Sequence, residues 1–405
     1  MVRRERFEAG LALVAILAAS FTLRIGVTEV GPLLDRIRAD TGMSATLAGV
    51  LGSIPFVCMG VFAPLGMGLA LRMPARRLIA ACMAVIILGT LARAEAPTAW
   101  LIVAATLPLG VGIAIVGVVL PGVIKTRFPQ RTGAAMGAYV ATLSVGASLA
   151  ALTMVPLTKA LGGWRGAFAI SAIPTLACLP LWLLLPRARA VASDPDAERT
   201  RTGRRSVPSA GPRVILLLAA IFGLQSVCFA AVTNWVAALY HHHGWTLSAA
   251  SFTTALVSIL VIPGALVIPA LSDRGDRRKW VVGSAVVMTF GMFGLAFAPT
   301  VAPWLWIVAF AVGDGALFPL SLTLPQDLAD DERTRTMLTT WTLGLGYMLS
   351  GMGPLIVGGL LDLTGSFVVP LALLGAMGIF SGVLALAPSL KRPAPATALA
   401  VSPSS

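Results

Sequence analysis

Twelve runs of about twenty or more mostly apolar residues divide this 405-residue chain, and each is long enough to cross a bilayer as a helix. They read at 9–34, 44–71, 76–96, 99–123, 132–157 and 165–185, then at 214–240, 246–271, 280–298, 301–325, 336–359 and 366–388. Hydrocarbon offers backbone N–H and C=O groups no water, so such runs are expected to be α-helical. With 57% hydrophobic and 12% charged residues, the chain is far from a soluble domain, where about a quarter of residues are charged. The expected fold class is an all-α membrane protein.

The formal charge of +13 would suit a nucleic-acid partner if it were spread over a polar surface. Here the basic residues cluster between apolar runs, as membrane topology demands, and no nucleic acid is expected. Arg3, Arg4 and Arg6, then Arg72, Arg76 and Arg77, then Lys125, Arg127 and Arg131 fall on one side. So do seven arginines between 187 and 213, then Arg274, Arg277, Arg278 and Lys279, then Arg333 and Arg335, then Lys391 and Arg392. These are 24 of the 30 basic residues, so both termini are expected in the cytoplasm of a multi-pass protein of a bacterial inner (cell) membrane. The basic start MVRRERFEAG precedes a run long enough to span, which reads as a retained first span rather than a cleaved leader.

The runs form two sets of six. Residues 1–186 are expected to make an N-terminal six-helix bundle and 214–390 a C-terminal one. Between them, RARAVASDPDAERTRTGRRSVPSAGPR (187–213) is polar, rich in Arg, Pro and Ser, and reads as a cytoplasmic linker; residues 391–405 read as a disordered cytoplasmic tail. An internal repeat at an offset of 204 residues links the sets. LPGVIKTRFPQRT (120–132) falls on LPQDLADDERTRT (324–336), pairing Leu120 with Leu324, Pro121 with Pro325, Arg131 with Arg335 and Thr132 with Thr336. A shift of six spans preserves direction, so the halves are parallel repeats. That arrangement resembles the major facilitator fold, in which a solute is expected near the midplane between the halves.

Ionisable residues inside spans are costly, at about 2.5–3.5 kcal/mol on insertion scales, and mark sites or partners. Arg24 lies in the first span, too deep to snorkel easily, and its planar guanidinium suits a carboxylate-like anion. A structural ion pair is the alternative. Glu29 is five residues on, about 140° round a helix, and is a candidate proton carrier or an acid at the outer mouth. Asp314, between Gly313 and Gly315 in the tenth span, is a second candidate proton carrier, or the charge opposing Arg24. Gln225, Asn234 and Trp235 of the seventh span, Tyr139 of the fifth, and Trp341 and Tyr347 of the eleventh could orient a small planar solute. Of these, Asn234, Trp235, Tyr139, Trp341 and Tyr347 join Arg24 as expected substrate contacts.

The loop SDRGDRRK (272–279) resembles the loop signature of major facilitator proteins, an Asp-Arg followed by a basic pair. Asp273, Arg274 and Arg277 are therefore expected gating residues, holding the cytoplasmic side shut until a charge pair breaks. The matching stretch ALRMPARR (70–77) has Arg72 where the acid would stand, which undercuts a symmetric gate. Lys125, after the fourth span, is read either as a topology determinant or as part of the gate at the cytoplasmic end of an anion path. His241, His242 and His243 fall in the short loop after the seventh span; three adjacent histidines lack the i, i+4 spacing of helical ligands, and no metal is expected. The four cysteines read as small buried hydrophobes. No GxSxG, HExxH or GxxxxGKS/T pattern occurs, so neither an enzyme nor an ATP-driven pump is expected, and no cofactor.

Three segments, TLRIGVTEVGPLLDRIRADTGMS (22–44), GVGIAIVGVVLPGVIKTRFPQRT (110–132) and NWVAALY (234–240), resemble the cyanate porter family of the major facilitator superfamily, which also includes nitroimidazole exporters. The resemblance implies movement of a small solute by alternating access, linked to the proton-motive force. It implies motif roles for Arg24, Lys125 and Trp235. The chain departs from the family pattern at Glu29 and Asp314, so cyanate itself does not follow.

The expectation is then a secondary transporter of a small anionic or polar planar solute, with protons and the lipid bilayer as its other partners, acting as a monomer. Its cavity is expected between the first, fourth, seventh and tenth spans. A drug or metabolite exporter of the same fold is the nearest alternative. A nontransporting receptor signalling through its linker is the alternative from another class.

Overall fold

The structure, a computed structural model, describes residues 2–185, 211–272, 276–329 and 331–390. Nearly all of the expected linker, the 391–405 tail, Asp273 and Arg274 lie outside the described residues. Among the described residues, twelve helical spans are long and apolar enough to cross a membrane. The first half comprises α1 (Val2–Thr28), a short α2 (Leu34–Thr41), α3 (Ala45–Arg72), α4 (Ala75–Glu95), α5 (Ala99–Arg127), α6 (Thr132–Ala160) and α7 (Trp164–Leu184). The second comprises α8 (Pro212–His242), α9 (Leu247–Ser272), α10 (Arg277–Phe297), α11 (Pro303–Leu328), α12 (Glu332–Ser350), α13 (Met352–Thr364) and α14 (Val368–Ala385).

The sequence repeat reappears as a packing repeat. In the first half α3 and α4 both pack on α5, α1 packs on α6, and α4 on α7. In the second, α9 and α10 both pack on α11, α8 packs on α12, and α10 on α14. Every pairing has its counterpart six spans later. One polar contact repeats too: Arg76 donates to the Leu185 carbonyl at 2.9 Å, and Arg278 to the Ala387 carbonyl at 3.5 Å, each closing the end of a half's last span.

Two spans are broken where the pattern reads as continuous. The first stops at Thr28, passes through a 3₁₀ turn at Gly31–Leu33 and resumes as α2. Pro32 has no N–H to continue the ladder, and a side chain at Gly31 would stand 2.7 Å from the Thr233 carbonyl of the other half. The eleventh changes from α12 to α13 at Gly351, just before Gly353 and Pro354. The fourth runs on to Arg127, past the apolar stretch, because Lys125 and Arg127 favour a helix C-terminus. Within the spans, hydroxyls such as Ser20, Thr106 and Thr158 donate back to carbonyls four residues earlier, which satisfies them without a partner helix.

The halves meet through α3 against α12 and α13, and α6 against α9. These contacts gather toward the face away from the ends of the two halves, termed the far face; the opposite one, bearing the starts of α1 and α8, is the terminal face. Gly49 of α3 abuts the Pro354 carbonyl of α13, Ser148 of α6 donates to the Ala255 carbonyl of α9 at 3.1 Å, and His241 lies 2.8 Å from Asp35. Toward the terminal face, Gly117 and Gly122 of α5 and Gly133 and Gly137 of α6 have open space where a side chain would go. The halves thus meet on the far face.

Candidate functional site

Gln225, Asp314 and Tyr347 each stand about 13 to 15 residues from the terminal-face end of their helices, and Arg24 stands 14 residues past Gly10, where the apolar span of α1 begins, a common depth of roughly 20 Å. They come from α1, α8, α11 and α12, so a single level gathers side chains of both halves. The Arg24 guanidinium is half-buried and lies 5.6 Å from the ring centre of Phe229 on α8. That is a cation–π contact, worth about 0.5–2 kcal/mol depending on desolvation. Its charge reaches Tyr139 on α6, Asp314 on α11 and Tyr347 on α12. Tyr139 and Tyr347 also lie within electrostatic reach of each other.

The two tyrosines occupy related places. Tyr139 belongs to the fifth span and Tyr347 to the eleventh, 208 residues on, one helical turn from the repeat offset and so on a similar face. The phenyl ring of Phe222 supports Tyr347 edge-on at 5.3 Å. Asp314, only 2% exposed, accepts a 2.5 Å hydrogen bond from the Gln225 amide, and Ser226 in turn donates to the Gln225 oxygen at 3.2 Å. Chemically, the group offers one guanidinium fork, two phenols, an aromatic face and one carboxylate. Such a set can hold the anionic end of a small solute and answer it with a titratable acid.

Glu29 does not join this group. It is fully buried in an ion pair with Arg93 of α4, itself fully buried, capped by the ring of Phe168 at 4.5 Å and donating to the Gly26 carbonyl at 3.4 Å. Full burial rules out a solvated acid at the outer mouth, and the partner the structure gives Glu29 is Arg93 within the same half. Arg93 was not among the expected residues, although an arginine near the far end of the third span, where basic residues are few, signals an acidic partner.

Asn234 and Trp235 are buried where the halves meet on the far face. The Asn234 amide turns back to the Ala230 carbonyl at 2.9 Å, and its side chain packs against Gly52. The Trp235 indole donates to the Pro354 carbonyl at 3.1 Å and packs on Phe367. Both are engaged in inter-helix packing and are not brought to Arg24. Trp341 is 51% exposed and about 120° round α12 from Tyr347, so it too stands apart. The gathered helices are those of the first, fifth, seventh, tenth and eleventh spans, and the expected fourth contributes none of these side chains.

Of the expected gate, Arg277 pairs with Asp327 at 2.8 Å, and both belong to the second half, so this pair ties α10 to α11 rather than half to half. Lys125 is exposed at the terminal-face end of α5. Asp276 caps the start of α10 through the Arg278 N–H at 3.1 Å and grips the Arg278 guanidinium; this hydrogen-bonded cation holds its carboxyl below the ordinary carboxylate value. His241 and His242 are in the last turn of α8 rather than a loop, because the helix runs on to His242. Among the described residues no group of three or more metal-ligating side chains gathers.

Comparison with known proteins places the geometry in context. The sequence profile of the Major Facilitator Superfamily matches residues 13–340. The cyanate transport protein CynX of Escherichia coli (strain K12) is 31% identical over 88% of this chain and 91% of its own length. The 2-nitroimidazole transporter of the same organism is 29% identical over 92% and 94%. Among solved structures, a bacterial homolog of the human lysosomal transporter Spinster, inward-facing and occupied, superposes with a TM-score of 0.75 at 18% identity, over 92% of this chain and 94% of that one. Two parallel six-helix repeats, twelve spans and this similarity agree: the chain belongs to the Major Facilitator Superfamily, in its cyanate porter family, and is a membrane transporter of a small solute.

Proposed function

We propose that the chain moves a small anionic or polar planar solute, of the cyanate, small-carboxylate or nitroimidazole kind, across a bacterial inner membrane by alternating access coupled to protons. The termini would face the cytoplasm, following the basic segments, so the far face is the outer one. The single observation that carries this reading is the position of Arg24. It is a half-buried guanidinium at the level where side chains of both halves converge, with two tyrosines and one carboxylate within its field.

In this reading Arg24 binds the negative or polarised end of the solute, and Tyr139 and Tyr347 hold it from opposite halves. Asp314 carries the proton. Ionised, it is answered by Gln225 and by Arg24; protonated, it leaves the charge of Arg24 to the solute. Each half is internally paired in the same way, which suits rocking of two rigid bodies about this level. Export by the same fold is the second reading, supported by the similarity to a 2-nitroimidazole transporter.

The test is flux through the purified chain in liposomes, with labelled cyanate and 2-nitroimidazole and an imposed pH gradient of either sign. Accumulation that follows the gradient supports the proposal, and its direction separates import from export. Flux that ignores the gradient for every solute carried would remove the proton from the mechanism.

A further inference from the structure

Helix α3 begins at Ala45, and its first four N–H groups need partners outside the helix ladder. Ser44 supplies two: its hydroxyl accepts from Leu47 at 3.1 Å, and its carbonyl accepts from Ala48 at 3.0 Å. The remaining two are taken by a residue of the other half. Asp362 accepts from the Ala45 N–H at 2.9 Å with one oxygen, and from the Thr46 N–H at 2.7 Å and the Thr46 hydroxyl at 2.6 Å with the other.

Asp362 lies in the last turn of α13, just before the left-handed Gly365. A carboxylate there meets the negative end of its own helix dipole, an unfavourable place. The protein groups that compensate are on the first half: the positive N-terminus of α3 and the charge of Arg38, which reaches Asp362 from α2. Asp362 therefore has these partners only while the far face is closed, and the Ala45 and Thr46 N–H groups are capped by it only then.

We propose that Asp362 is the latch of the far face: its carboxylate holds the two halves together by capping α3, and its release accompanies each opening on that side. The proposal rests on the alternating-access reading above. With the carboxylate removed, the balance between far-face-closed and far-face-open forms shifts toward open by about threefold to tenfold, the effect of losing a helix cap.

The test is hydrogen–deuterium exchange of the full chain in lipid nanodiscs, comparing wild type with Asp362→Ala. The expected result is reciprocal. Peptides over 45–52 and 352–362 exchange faster, while peptides over 61–72 and 132–140, near the terminal face, exchange more slowly. Thr46→Val, which removes one of the three bonds and no charge, moves both sets less but in the same sense. Faster exchange confined to residues 45–52 makes Asp362 a local cap and overturns the latch, as does no change on either face. Gly49→Val separates this from failure of alternating access, because its side chain would stand where the Pro354 carbonyl and the Leu355 backbone lie, 2.5 and 2.9 Å from the first added carbon. If the wedge gives the reciprocal pattern and Asp362→Ala does not, the latch is wrong and alternating access stands. If neither gives it, both fail.

Discussion

Gln225 and Asp314 belong to different helices and are joined by a 2.5 Å hydrogen bond, with 1% and 2% of their surfaces exposed. The amide is a neutral donor, so it steadies an ionised carboxylate without adding charge, while Arg24 supplies charge from across the cleft. Asp314→Asn keeps the shape and fixes the site in a form like the protonated one. Solute exchange down its own gradient is expected to persist, and pH-driven accumulation to fall at least about tenfold. Parallel counterflow and accumulation assays in liposomes check this; undiminished accumulation would take the proton from Asp314.

Gln225→Ala leaves the buried carboxylate without its donor. A buried polar group left without its hydrogen-bond partner costs about 1–3 kcal/mol, so a lower melting temperature in detergent is expected. Raising the solute concentration should not restore pH-driven accumulation if Gln225 acts by positioning Asp314.

Glu29 and Arg93 make a pair whose members cannot be removed singly without leaving an unanswered charge among α1, α4 and α7. Arg93→Met is expected to destabilise by about 3–5 kcal/mol. Glu29→Gln combined with Arg93→Met should recover most of that loss, since replacing both members is far cheaper than breaking the pair. Melting curves of the two variants decide it. Equal losses would mean the pair contributes through packing alone.

Asp276 offers a pH test on the terminal face. Its folded-state pKa lies below the ordinary 3.8 because Arg278 binds the ionised form. A depressed carboxyl contributes stability that is present above the ordinary value and lost as pH falls through the folded one. Asp276→Asn should therefore melt slightly lower than wild type at pH 7, by about 0.5 kcal/mol after solvent screening, and the gap should close below the ordinary value. A gap unchanged at pH 3 would assign the effect to the cap's shape rather than its charge.

Much of the fold was legible because a bilayer allows so few solutions. Apolar length located the twelve spans within a few residues, and the Leu120–Leu324 and Arg131–Arg335 matches disclosed the repeat that the helix packing shows. The breaks at Gly31–Pro32 and Gly351 were not read, because an apolar run with a glycine or proline still looks continuous. At the site, Arg24, Tyr139, Tyr347 and Asp314 stood out as polar residues in apolar runs and converge. Trp235 and Asn234 stood out equally, yet Asn234 packs on Gly52 of the other half and Trp235 on Pro354 and Phe367 of its own, since residue type does not say which way a side chain faces. Arg93 and Asp362 escaped notice because each acts through a partner remote in sequence: Glu29, 64 residues away, and Ala45, 317 away.

The most direct measurement is the flux of labelled cyanate and 2-nitroimidazole through liposomes containing wild type, Arg24→Ala and Arg24→Lys. Arg24→Ala should retain its fold, since the residue is only half-buried, and lose about ten- to hundredfold in transport of any solute the wild type carries, the loss expected for a charge-assisted contact. Arg24→Lys should recover part of it, a point charge without the planar fork. A well-folded Arg24→Ala protein transporting at the wild-type rate would contradict the placement of the solute at Arg24.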